Sequence, residues 1–597
     1  MRYLCFAILL GCIQIAAIVI SGEDIDRAAV VISGEDIDSL NTIMRIVRAS
    51  FAEPVFIMSL LCLLKGYFTN RTIHVLTRLL GVLYLLVFLS ECYYFSVSGE
   101  WITLLALANL NQAHLIADVK YIFVLLGFLV ILLFYVCLID NCDYIRLTKR
   151  FKIVLLTLVL TGLGTAVYLS PKFYYLPPKF IAPISSLLVN IKKMNIEYTD
   201  VDIKGYPFEK NYIYKNPLPF DRISNKQPNI IILLTEGTSA RLIGAYNGNR
   251  FKDLTPNIDA FAKKSMRVDN YFNHTVATFR GTFGQLASAF SLEGGWTKRR
   301  VTAKEDFRRL EELRNRSVQS LPRLLNNSYE TVFFSPHERE DPYTDLLQTL
   351  NFNTIYTCNE INKEFFDNNA ELFSESIKDD DMYYSLRRFM ETYNKNKPFF
   401  VAMYTFDTHL GLKLPEGSKE YVSELGNIEA LNSLHNLDNA FGKFWDWFCK
   451  SDFRDNTIIV FTADHAHYHE TSYVNLIKKD TDYRRFFIDK IPLIIYDPVH
   501  KLPESFDAQD RTSLDITPTL CHLLEIQEKN SFLGNSLFDA KPADISIAVD
   551  GETFYGIYDH KVWREKEIEQ EYQPAFDKMK NNIMLFYVCL KSKRVFH

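Results

Sequence analysis

"NIIILLTEGTSA" (residues 229–240) runs through five consecutive apolar residues and then turns abruptly to Glu236, Gly237 and two hydroxyls. A short apolar run of that kind is expected to form a strand buried on both faces. An acid at its end is either a helix-capping residue or the first ligand of a site. Further β-rich runs occur at "ETVFFS" (330–335), "PFFVAMYTF" (398–406), "TIIVFTA" (457–463) and "IPLIIYD" (491–497), separated by helical patterns. That alternation predicts a mostly parallel sheet sandwiched by helices. The residues just past the strands are chemically loaded: Glu236 after the first, "PHERED" (336–341) after the second, "DTHLG" (407–411) after the third and "DHAHYHE" (464–470) after the fourth. Open α/β sheets bind ligands beyond the carboxyl ends of their strands. Four strands delivering acids, histidines and an arginine to one edge assign Glu236 to a site.

The first 171 residues have a different character. Apolar runs at 3–21, 51–68, 74–97, 120–139 and 151–170 each have about the length that crosses a hydrocarbon core. Five membrane-spanning helices are expected, the second the weakest because it carries Glu53, Pro54 and Lys65. Lys65, Arg71 and Arg78 flank one connection, and Arg146, Lys149, Arg150 and Lys152 crowd another, which places both on the cytoplasmic side. Everything after Ser170 then lies outside. The expected organisation is a transmembrane domain (1–171), a membrane-surface linker (172–228), a catalytic domain (229–545) and a C-terminal extension of it (546–597). A near-tandem copy, "AAIVISGEDID" (16–26) and "AAVVISGEDID" (28–38), lengthens an acidic loop, and residues 98–118 form an amphipathic helix at the headgroups or a buried loop helix. The net charge of −5 and the lack of a long basic tract exclude nucleic acid as a partner. Cys358, Cys449, Cys521 and Cys589 are too scattered for a disulfide framework.

Glu236 with the adjacent pair Asp464 and His465 offers two carboxylates and an imidazole. Such a set suits one divalent ion, Zn²⁺ or Mn²⁺, better than Ca²⁺, which prefers oxygen alone. Three ligands leave a position for a nucleophile, and "NHTVATFRGTFGQLAS" (273–288) is rich in hydroxyls. A metal lowers the pKa of a neighbouring Thr hydroxyl enough for attack on phosphorus or sulfur.

The ordered set "TEG", "ATFRGTF", "SPHERE", "FDTHLG", "TADH" and "SLDITPTLCHLL" (513–524) resembles the alkaline phosphatase–sulfatase superfamily. With the five N-terminal runs, it resembles the lipoteichoic-acid synthase and phosphoethanolamine transferase branch. The resemblance implies that Glu236, Asp464 and His465 bind the metal together with Thr278, the nucleophile that is phosphorylated during turnover. It also implies headgroup contacts from Arg339 and His409, a polar contact from His469, and a substrate-facing position for His337. The implied activity is transfer of a phospholipid headgroup phosphate, phosphoglycerol ahead of phosphoethanolamine, to a cell-envelope glycan or glycolipid. Such an enzyme sits in the bacterial cytoplasmic membrane with its catalytic domain outside. A sulfatase would carry Cys or Ser in a C/S-x-P-x-R setting, which this chain lacks. A hydrolase finishing with water and a non-catalytic lipid sensor are the rival classes.

Several neighbours carry blander readings. Thr275 and Thr282 are alternative nucleophiles, Thr238 is a helix N-cap, and Arg280 holds a phosphate or is a surface charge. Tyr468 and Trp296 are packing residues, His522 is a core histidine, and His467 has no counterpart in the family.

Overall fold

A computed structural model describes residues 2–20, 39–68, 70–98, 119–139, 148, 151–157, 207–291, 319–339, 342–373, 376–410, 412, 414–415, 418, 420–421, 425, 427–551 and 553–591. The chain divides into two compact units, Met1–Glu197 with His469–Thr471, and Tyr198–Tyr468 with Ser472–His597.

In the first unit, helices Arg2–Ile20, Ser39–Tyr67, Arg71–Ser98 and Val119–Phe134 pack around Phe6, Leu10, Met58, Leu85 and Phe88. Among the described residues, one helix is long and apolar enough to cross a membrane, over Arg71–Tyr94, and it leaves Leu76, Leu79, Leu80 and Leu83 exposed. Shorter apolar helices cover Arg2–Ala16, Pro54–Tyr67 and Leu126–Cys137. The second expected span lies inside the longer helix Ser39–Tyr67, which carries Pro54 within it. Of the fifth, residues 151–157 are helical and the remainder lies outside the described residues, as do most of the tandem copy and of the 98–118 segment.

Among the described residues, the second unit holds thirteen strands: β1 (Asn229–Thr235), β2 (Met266–Phe272), β3 (Glu330–Phe334), β4 (Thr354–Tyr356), β5 (Leu372–Phe373), β6 (Ser376–Ile377), β7 (Phe399–Thr405), β8 (Thr457–Ala463), β9 (Leu493–Tyr496), β10 (Ser505–Thr512), β11 (Ser546–Asp550), β12 (Thr553–Tyr558) and β13 (Lys561–Arg564). Eight form one sheet in the order β10-β2-β9-β8-β1-β7-β3-β4. Only β9 runs antiparallel to its neighbours in this sheet. The run at 491–497 thus forms a strand as expected, but one reversed relative to the rest. β1 is central and wholly buried. Ile230, Ile232 and Leu234 face one core with Phe283 and Leu286, while Ile231 and Leu233 face a second with Phe261, Phe441 and Trp445. The helix Thr278–Ala287 supplies the first pair and the helix Glu429–Phe448 supplies the last. β1, β7, β8 and β3 run parallel, so their carboxyl ends meet along one edge.

Residues 207–228 are strapped to this unit. Lys210 and Asn530 bond reciprocally through their backbones, Ile213 enters the core, and Arg222 pairs with Glu525. At the other end, β11–β13 form an antiparallel sheet, and the helix Gln573–Lys591 adds Phe576, Ile583 and Phe586 to the same core as β1.

Candidate active site

The loop after β1 and the loop after β8 interlock. Asp464 Oδ1 accepts from Gly237 N at 2.9 Å and from His465 N at 2.8 Å. Gly237 has φ +50°, and a Cβ there would meet the His465 ring at 3.5 Å, so the tight turn behind Glu236 favours glycine. His465 Nδ1 donates to the Ala466 carbonyl at 2.8 Å, so the neutral ring presents its Nε2 lone pair. That nitrogen lies 3.4 Å from Glu236 Oε1 and 3.5 Å from Asp464 Oδ2. The contacts are within ion-pair range, yet Asp464 Oδ2 and His465 Nε2 are buried without a hydrogen bond.

Glu236, Asp464 and His465 each offer one ligand atom, all within 4.8 Å of one another. Three electron-pair donors converging in a dry site are mutually repulsive unless a cation joins them. Burial lowers the His465 pKa, but Asp464 and Glu236 outweigh it and raise the pKa. Burial raises the Glu236 carboxyl, but His465, His409, Tyr404 and Thr278 outweigh it and hold the group at about 2. Burial and the charge of Glu236 push Asp464 up to about 7. The donor set of two hard oxygens and one imidazole fits the expected Zn²⁺ or Mn²⁺.

Thr278 completes the arrangement. It is the first residue of the helix Thr278–Ala287, and its Oγ1 donates to Glu236 Oε2 at 2.8 Å. Ala277, immediately before it, has φ 71° and ψ 137°, a conformation an L-residue rarely holds and one that costs on the order of 1–3 kcal/mol. The helix is docked against the end of β8: Gln285 Nε2 donates to Ala463 O at 2.9 Å, and a Cβ on Gly281 would sit 2.1 Å from Asp464 O. The positive end of a helix therefore lies behind the Thr278 oxygen, where it favours negative charge. Thr282 instead bonds Tyr343 at 3.0 Å, and Thr275 pairs with Val549 of β11, so neither alternative reaches the cluster.

The remaining candidates fall at different distances from this centre. His409 packs on Phe406 and on Tyr468, with ring centroids 5.0 and 5.8 Å apart, and its Nδ1 contacts the Leu410 carbonyl. His337 lies in an aromatic wall with Phe406, Tyr404 and Tyr343 and bonds Ser376. Arg339 is not brought to the cluster; it is half-exposed, donates to Glu360 at 2.8 Å, and lines a cleft of about 840 Å³ with Arg323, Thr344, Asn353 and Tyr356. His469 is buried, but it is not a member of the cluster.

Three local readings are corrected. Thr238 is not an N-cap: its hydroxyl donates to Glu236 O, and the neighbouring Ser239 accepts from Arg241 N instead. Arg280 is not a surface charge: it is buried, with Tyr587 and Asp550 offsetting the burial of its guanidinium. Tyr468 is more than packing, since its hydroxyl stands 3.5 Å from Glu236 Oε1. His522 is the expected core histidine, bonded to Ser536 and stacked on Tyr214 at 4.0 Å. Trp296 lies outside the described residues. Tyr404, whose hydroxyl donates to Glu236 Oε2, was missed. The available signal was a polar-tipped aromatic at the carboxyl end of β7, the strand that pairs with β1.

A buried acid–acid–histidine cluster that could hold a metal ion, with a Thr hydroxyl at its edge, lies at the carboxyl ends of parallel strands, as in an enzyme of the alkaline phosphatase-like fold. The sulfatase family model matches residues 228–526, and the chain belongs to that family. Lipoteichoic acid synthase 2 of Bacillus subtilis (strain 168) is 23% identical over 380 residues, 59% of this chain and 53% of the relative. N-acetylglucosamine-6-O-sulfatase of Bacteroides thetaiotaomicron is 24% identical over 190 residues, 31% of each chain. The chain thus spans about half the length of the first of these relatives and less of the second. Among solved structures, the lipoteichoic acid synthase of Listeria monocytogenes aligns with TM-score 0.48 and 17% identity over 62% of this chain and 96% of its own. The lipooligosaccharide phosphoethanolamine transferase A of Neisseria meningitidis aligns with TM-score 0.48 and 13% identity over 88% of this chain and 94% of its own.

Proposed function

We propose that this chain transfers a phospholipid headgroup phosphate, phosphoglycerol in preference to phosphoethanolamine, to a cell-envelope glycan or glycolipid through a phospho-threonine on Thr278. The observation that carries this reading is the 2.8 Å contact of Thr278 Oγ1 with Glu236, inside a cluster built to hold one cation. Glu236, Asp464 and His465 would hold Zn²⁺ or Mn²⁺ beside Thr278. Such an ion supplies Lewis acidity toward a phosphate oxygen and lowers the pKa of the nucleophile. Glu236 Oε2 orients the Thr278 hydroxyl. Thr278 Oγ1 attacks the donor phosphorus, the bond to the diacylglycerol oxygen breaks, and that oxygen leaves with a proton. An acceptor hydroxyl then attacks the same phosphorus, the bond between phosphorus and Thr278 Oγ1 breaks, and the acceptor's proton is balanced by the one Oγ1 takes up. His409, with Nδ1 directed at the Leu410 carbonyl, offers Nε2 to the headgroup, and His337 lines the wall beside it. Arg339 would reach the headgroup by giving up its exposed pair with Glu360, an exchange that costs about 1 kcal/mol or less.

The apolar outward face of the Arg71–Ser98 helix supports a membrane location, with the catalytic unit on the outer side of a bacterial cytoplasmic membrane. A lipid donor then never leaves the bilayer. The relationship to an N-acetylglucosamine-6-O-sulfatase favours ester hydrolysis as the second reading. The deciding experiment is a peptide mass spectrum of the full chain after incubation with Zn²⁺ or Mn²⁺ and mixed phosphatidylglycerol and phosphatidylethanolamine. A phosphoglycerol or phosphoethanolamine adduct on Thr278 is expected. Metal-loaded protein with an unmodified Thr278 peptide would reject transfer through this residue.

A further inference from the structure

The two oxygens of Glu236 face different neighbours. Oε1 looks toward His465 Nε2 at 3.4 Å, on the side of the metal-binding cluster. Oε2 accepts from Thr278 Oγ1 at 2.8 Å and from the Tyr404 hydroxyl. Tyr404 stands opposite Leu234 in the β1–β7 pairing and is completely buried. Its ring is fixed between Tyr343 and His337, at centroid distances of 5.4 and 5.7 Å. Its hydroxyl also lies 3.4 Å from Thr278 Oγ1.

Resting on the metal-dependent reading above, we propose that Tyr404 is a positioning residue of the site: its hydroxyl braces Oε2 of Glu236 so that Oε1 points into the metal cluster and Thr278 is held against the same carboxylate. The ring is immobilised by packing and the strand by its ladder, so the brace is rigid. A partner outside the ligand set that fixes a ligating group typically contributes 10–100-fold to metal affinity or activity. The ring of Tyr404 packs on His337 while its hydroxyl meets Glu236 and Thr278, so loss of the hydroxyl alone falls on the metal and the nucleophile rather than on headgroup recognition.

Tyr404→Phe tests this, because it deletes the hydroxyl and keeps the packed ring. Tyr343→Phe is the matched control: its hydroxyl bonds Thr282 at 3.0 Å. Affinity for Mn²⁺ and Zn²⁺ is measured on the resting full chain by chelator competition, together with kcat and KM for the lipid donor. The expected result for Tyr404→Phe is metal affinity weakened about tenfold or more and kcat lowered about 10–100-fold, with KM within about twofold. Tyr343→Phe should leave metal affinity within about twofold. Wild-type metal affinity in Tyr404→Phe, or an equal loss in Tyr343→Phe, overturns the proposal. Affinity is read without donor lipid, so finding that the enzyme hydrolyses rather than transfers leaves this test intact.

Discussion

Thr278 Oγ1 donates to Glu236 Oε2 across 2.8 Å, joining the first turn of one helix to the end of the central strand. The bond places the proposed nucleophile beside a carboxylate of the candidate metal site with no side chain between them. Thr278→Ala should lower turnover by about 10³-fold or more and abolish the covalent adduct. It removes one net hydrogen bond from a half-buried residue, so stability should fall by about 1 kcal/mol or less. Turnover assays paired with denaturant unfolding check both halves. Continued turnover in a folded Thr278→Ala protein would remove Thr278 from the mechanism.

Metal binding should be visible in stability as well as in activity. Asp464 uses Oδ1 to clasp the Gly237 and His465 amides and leaves Oδ2 without a partner. Asp464→Asn can keep the clasp while replacing the free oxygen with an amide nitrogen that cannot ligate. A chelator should lower the melting temperature of the wild type, and metal at a hundred times its Kd should restore about 2.7 kcal/mol. In Asp464→Asn the two melting curves should coincide. A full metal-dependent shift in that variant would mean the cation binds elsewhere.

The strands that build the centre were legible because they are buried on both faces: β1, β7 and β8 have no exposed residue, and apolar residues dominate each. β2, "MRVDNYF", was hidden because Arg267 pairs with Asp269 on its partly exposed positions. β10, "SFDAQDRT", is an edge strand with a bulge between Asp507 and Arg511, and edges carry polar residues by necessity. The three residues of the candidate metal cluster were readable as acids and a histidine where apolar runs stop. Tyr404 was not, because an aromatic inside an apolar strand looks like packing until its hydroxyl is placed against the carboxylate of the next strand.

Gly281 makes a sharper test of how the nucleophile helix is held. A Cβ there would fall 2.1 Å from the Asp464 carbonyl oxygen, a backbone atom that cannot swing aside. Gly281→Ala must therefore push the helix off the end of β8, at a cost of about 1–3 kcal/mol. Thr278 moves with the helix, so activity should fall by more than stability alone explains. Kinetics at a temperature where the variant is fully folded would show this. An active, fully stable Gly281→Ala protein would mean the helix is not seated as described.

Arg241 anchors the segment just beyond the metal loop. Its guanidinium is buried and donates to Asp489 at 2.8–3.0 Å and to Asp482 at 2.8 Å. Removing one member of a buried ionic group leaves the others uncompensated, so Arg241→Met should destabilise the unit by about 3–5 kcal/mol. Chemical denaturation measures it directly. A loss below about 1 kcal/mol would show that solvent already screens the cluster.

His274 sets an acid limit on the catalytic unit. It is completely buried, its Nδ1 contacts the Ser513 hydroxyl at 2.7 Å, and a hydrogen bond to the Arg280 backbone offsets part of the burial. Burial pushes its pKa down to about 3, so the folded chain keeps it neutral while the unfolded chain protonates it near 6.5. The unfolded state then binds more protons below 6.5, and stability is lost as pH falls from there toward 3. The slope is about 1.4 kcal/mol per pH unit. Asp438 and Asp515, raised by burial to about 6, bend the whole-protein curve the other way, so the contribution must be isolated by difference. His274→Asn, which can still accept from Ser513, should be less stable than the wild type near pH 7. The gap should narrow by about 1.4 kcal/mol for each pH unit below 6.5. Denaturant unfolding of both proteins from pH 7 to 4.5 decides it, because parallel curves would mean that the native site already accommodates the imidazolium.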